Sequence, residues 1–189
     1  EFYVNLFIPS VLDWDDRDVH IRQEAVSGRP ERTRLSVKGS GIRTLKVRLP
    51  QWAVSKNDTE GCDLQGRSFV IEENGAEIAV WPYEDGYLTF DRDFSEEIVY
   101  EAEFAFRFRI IRSADIRERA AVAYGPYIMA ALSEEKGFLD FPFTEEDIEE
   151  KMIPSGDGLT FTCEGIRWIP LCMVDEEAYH VYGIAGDER

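Results

Sequence analysis

Asp13, Asp15, Asp16 and Asp18 crowd one short stretch, and Glu24 falls at the twelfth position of a frame opening at Asp13. Oxygen donors at such intervals are what a calcium loop supplies. Arg17, however, takes a ligand position, and Asp18 stands where that turn needs glycine, so the run reads as a solvated acidic turn. His20 and His180 are the only histidines. A general base needs a nucleophile or carboxylate within hydrogen-bond reach, which spacing does not supply, and structural roles are expected for both. Cys62, Cys163 and Cys172 are odd in number and widely spaced. They form neither a disulfide framework nor a structural zinc site and read as buried or idle thiols.

Paired carboxylates could hydrolyse a sugar linkage, but only at a defined separation across a cleft. With 38 acidic residues, no single pair stands out. Glu101 and Glu103 share one strand face and are expected to face solvent. Trp14, Trp52, Trp81 and Trp168 offer flat rings for stacking on sugars. Trp52, just after Leu49-Pro50-Gln51 at a strand end, is the candidate carbohydrate-binding residue, with core packing as the competing role. No G-x-S-x-G, P-loop or G-x-G-x-x-G occurs. The residues alone define no catalytic constellation and no metal site.

The elements that would position these side chains are strands. From Ile98 to Ile110, Tyr100, Ala102, Phe104, Phe106 and Phe108 share one parity, and Glu101, Glu103, Arg107 and Arg109 the other. Such alternation places large apolar groups on one face of a sheet, which then needs a covering layer. The run exceeds ordinary strand length, so a bulge or bend is expected inside it. Phe2 to Ile8 reads as a strand covered on both faces. Asn74-Gly75 marks a hairpin, because both residue types tolerate positive φ. Ala120 to Leu132, broken at Gly125-Pro126, reads as a central buried pair of strands. Thr144 to Met152 is the one helical stretch, with Thr144 as cap and Asp147 at the capping-box position. The expected class is all-β: an antiparallel, jelly-roll-like sandwich over 1–134. A C-terminal extension over 135–189 carries the helix and returning strands.

The 189-residue chain carries a net charge of −17. A surface so negative repels phosphate backbones and anionic membranes, so neither nucleic acid nor membrane is an expected partner. No apolar run has the length of a membrane helix. Nothing requires oxidised cysteine, which favours a reducing compartment such as the cytoplasm. The opening residues already read as a strand, with no lead-in, as expected of a segment of something longer.

Five segments occur in a telling order: YVNLFIPS, TLKVRLPQWA, GYLTFDRDF, VAYGPYIMAAL and IPLCMVDEEAYHVY. Together, from Tyr3 to Tyr182, they resemble the region after the catalytic barrel in glycoside hydrolase family 127, the β-L-arabinofuranosidase-like hydrolases. Phe94 stands where that family usually has Trp, and Gly183 where it usually has an aromatic. The resemblance implies a non-catalytic sandwich that packs against an (α/α)6 barrel. It also implies that the zinc-bound cysteine nucleophile, the further zinc ligands and the glutamate acid/base lie in that barrel. No residue of this chain matches those motifs, so the expected cofactor here is none. A stand-alone carbohydrate-binding module and a structural or interaction domain are the alternatives.

Overall fold

A computed structural model describes residues 1–53, 69–79 and 86–186. Among the described residues the fold is all-β with one short α-helix, and the chain divides into two compact units, Glu1–Ala105 and Phe106–Arg189. The division falls within the long alternating run, not at the expected 134/135 boundary. Parity continues through 105–107, but the strand does not.

Among its described residues the first unit holds nine strands: β1 (Phe2–Val4), β2 (Ser10–Trp14), β3 (Val19–Val26), β4 (Arg29–Gly39), β5 (Thr44–Arg48), β6 (Phe69–Glu73), β7 (Ala76–Glu77), β8 (Tyr87–Asp91) and β9 (Ile98–Phe104). They form a three-stranded sheet, β1-β5-β8, and a six-stranded sheet, β2-β3-β4-β9-β6-β7. The two meet face to face, the ring of Phe90 on β8 lying 4.6 Å from that of Tyr100 on β9. Alternation explains the layering. Val19, Ile21, Leu35, Val37, Tyr100 and Ala102 are buried on one sheet, and Leu45, Val47, Leu88 and Phe90 on the other. Asn74 and Gly75 turn the β6–β7 hairpin with φ of 51° and 80°, as their residue types predict. The Asn74 side-chain oxygen accepts the Val99 N–H at 3.0 Å, tying that turn to β9.

The expected doubly covered strand at Phe2–Ile8 is a correction. Only Phe2–Val4 is strand, at the edge of the smaller sheet, and of that strand only Val4 is buried. Leu6 and Ile8 are exposed. Apolar content alone does not distinguish a covered strand from a bare one.

The second unit holds β10 (Phe108–Arg112), β11 (Arg119–Tyr124), β12 (Tyr127–Leu132), β13 (Leu139–Asp140), α1 (Ile148–Lys151), β14 (Ile153–Pro154), β15 (Phe161–Cys163), β16 (Ile166–Pro170), β17 (Tyr179–His180) and β18 (Tyr182–Ile184). β11 and β12 are the buried pair expected around Gly125-Pro126, but they pair only near the turn and then splay. Into the gap run β17, antiparallel to β12, and β18, antiparallel to β11. Phe141, Phe143, Phe161, Met129 and Trp168 fill the core, Trp168 being 1% exposed. The helix is shorter than Thr144–Met152. Its N-cap is Asp147 rather than the expected Thr144, and the Thr144 N–H, one turn earlier, donates to the Asp147 carboxylate at 2.6 Å. Among the described residues no helix is long and apolar enough to cross a membrane.

Candidate functional site

The acidic stretch is built by the β2–β3 connection. Asp15–Arg17 form one 3-10 turn, and Asp18 closes it in the left-handed region with φ of 50°. That turn returns the chain along β2, so Asp13 pairs across from His20. His20 Nδ1 lies 3.1 Å from an Asp13 oxygen, and Nε2 lies 3.8 Å from Asp18. Glu24, farther along β3, meets Arg22 at 3.6 Å instead. Asp13 and Asp18 thus turn to His20 and Glu24 to Arg22, so the acids do not converge as a calcium loop would. The guanidinium of Arg17 sits over the Trp14 ring, 5.6 Å from its centre.

Glu101 and Glu103 lie on the outward face of β9, as alternation requires, but they are not free carboxylates. In register, Glu101 faces Arg34 and Glu103 faces Arg32. Arg34 Nε donates to Glu101 at 2.9 Å, and Arg32 Nε donates to Glu103 at 2.6 Å. Arg32 also reaches Glu101 at 3.4 Å, and Arg29 reaches Glu103 at 3.0 Å. The outer face is an ion-pair ladder. Its arginines, which the sequence reading left unassigned, become visible only once strand register is known.

Trp52 sits in the turn Gln51–Ala53, half-buried, its ring 5.6 Å from that of Phe104 at 64°. This edge-to-face contact anchors it to the first unit's core. Trp168 is buried among Phe141 and Phe143, and its indole N–H has no hydrogen-bond partner. Trp14 is 49% exposed. Trp81 and Cys62 lie outside the described residues. Cys163 is buried and Cys172 exposed, and burial pushes the Cys163 thiol up. His180 pairs in register with Ala131 on β12. Arg109, on β10, donates to the Gly125 carbonyl at 2.7 Å, and partial burial lowers its pKa.

The described residues do not fit a resident zinc ion. No group of three or more His, Cys, Asp or Glu among them could hold a metal.

The arrangement that emerges is a two-layer sandwich with neutralised outer carboxylates, followed by a second β unit with an aromatic core. The model of the β-L-arabinofuranosidase GH127 middle domain matches residues 1–106. The chain belongs to this family. The match ends where the first compact unit ends. Among solved structures, a GH127 β-L-arabinofuranosidase from Geobacillus stearothermophilus T6 is 19% identical, with a TM-score of 0.59 over 97% of this chain and 33% of its own. A GH127 β-arabinofuranosidase is 20% identical, with a TM-score of 0.60 over 97% and 34%. A structure described only as a glycoside hydrolase is 14% identical, with a TM-score of 0.63 over 98% and 36%. The chain thus spans about a third of the length of the solved structures it matches. No curated protein matches it.

Proposed function

We propose that this chain is the non-catalytic β-sandwich portion of a GH127-type glycoside hydrolase, packing against and stabilising an (α/α)6 catalytic barrel elsewhere in the same polypeptide. The observation that carries this reading is the family match over 1–106. The ion-paired state of Glu101 and Glu103 is consistent with it, because both carboxylates are engaged by arginines of the neighbouring strand. In this reading zinc and its thiolate ligands belong to the barrel.

The test is an assay of the purified 189-residue chain on arabinofuranosides with zinc and reductant. No turnover is expected; robust turnover by pure protein overturns the reading. A sugar contact at Trp52 is a narrower proposal, since the ring is only half-buried. Calorimetry across plant glycans tests it. Heat that disappears in Trp52→Ala supports a sugar contact, and a flat response throughout rejects it.

A further inference from the structure

The six-stranded sheet of the first unit is wider than the three-stranded sheet facing it. Register shows which residues are left over. Leu12 pairs with Ile21 and Trp14 with Val19, so both β2 side chains share the core-facing side of the sheet. Ile21 and Val19 are buried, at 7% and 6% exposed, whereas Leu12 and Trp14 are 37% and 49% exposed. Among the described residues the apolar inner face therefore runs one strand past its cover. Leu6 and Ile8, in the link leading into β2, are 65% and 57% exposed.

Two further features mark this margin as incomplete. Gln23 faces Ser10 across the same pair of strands, is 5% exposed, and its Nε2 has no hydrogen-bond partner. Moreover β2 pairs only with β3 among the described residues and is exposed along its whole length. An apolar edge of this kind is a hazard unless something covers it.

We propose that the overhanging face of β2, centred on Leu12 and Trp14, is the seat of the catalytic region of the same polypeptide. This rests on the reading above that such a region exists. The three solved structures described above each carry about two-thirds of their length outside the match, which supplies an occupant. Charge selects among occupants. Asp15 and Asp16 lie in the turn that directly follows Trp14, and the whole chain carries −17. A second copy would bring like charge to that rim, whereas a surface with an apolar centre ringed by lysine and arginine complements it.

The test is oxidative footprinting of Trp14 in the 189-residue chain and in the longer polypeptide of its reading frame. Labelling of Trp14 is expected to fall at least tenfold in the longer protein. A Leu12→Lys/Trp14→Lys variant is expected to split the longer protein's single thermal transition into two. The same variant of the 189-residue chain should melt within about 2 °C of its parent, because both side chains are exposed there. Equal labelling in a polypeptide that does carry a helical catalytic region overturns this face alone. A reading frame without such a region overturns the functional reading with it. Protection of Trp14 by self-association of the 189-residue chain, seen by sedimentation, also overturns the proposal.

Discussion

The ring of Phe141 occupies the space above Gly183. A Cβ placed on Gly183 would lie 2.1 Å from Phe141 Cε1 and 2.6 Å from the Leu139 carbonyl oxygen. Phe141 is itself stacked on Phe143 at 5.3 Å and set edge-on to Trp168 at 5.5 Å.

Gly183→Ala is accordingly expected to destabilise the fold by about 1–3 kcal/mol, the usual cost of overpacking. Adding Phe141→Leu should recover part of that loss, with the Leu139 backbone clash remaining. A double-mutant cycle by chemical denaturation measures the coupling. Additivity of the two changes would remove Phe141 as the cause.

Phe94 is fully buried, at 0% exposed, and its carbonyl accepts the Gly39 N–H at 2.7 Å. Its site is thus sized for a single six-membered ring. Phe94→Trp should cost about 1–3 kcal/mol in thermal unfolding, because the larger indole must be fitted into a fully buried site. An unchanged midpoint would mean that the site has slack.

Asp147 accepts from Lys151 at 2.8 Å and from the Thr144 N–H at 2.6 Å. These contacts, the Lys151 hydrogen bond foremost, hold its carboxyl at about 2, below the ordinary 3.8. A depressed carboxylate lends stability that is complete above the unfolded value and is lost as pH falls through the folded one. Asp147→Asn should therefore be less stable than the parent at neutral pH by a constant margin. That margin should shrink between pH 3.8 and about 2, following the titration. A margin independent of pH would show that the carboxylate charge is not its source.

Glu101 is bonded to both Arg32 and Arg34 on a sheet face that is only partly buried. Glu101→Gln should cost no more than about 1 kcal/mol. Half a molar sodium chloride should reduce the difference, because screening weakens exposed pairs first. A loss well above that would mean that the ladder holds the sheet together.

Much of this was readable in advance. Tyr100, Ala102 and Phe104 are buried in the first unit, and Phe108 and Ile110 in the second, all on the parity that alternation assigns them. The unit boundary between them was not readable, because parity is a local property and persists when the chain leaves one sheet for another. Leu12 and Trp14 show the same limit. Their apolar character was plain, but only register against Ile21 and Val19 reveals that they share the core-facing side of the sheet while staying exposed among the described residues. The Thr144–Asp147 contact was legible from spacing, while the brevity of the helix was not.

The inverted corner formed by β17 and β18 has a consequence for biosynthesis. Arg119 finds its sheet partner only at Ile184, and Leu132 only at Tyr179 on its inner side. The first unit has all its strands in hand by Phe104 and can set while translation continues. Its neighbour must wait, two arms apart, until the ribosome releases the wedge that joins them.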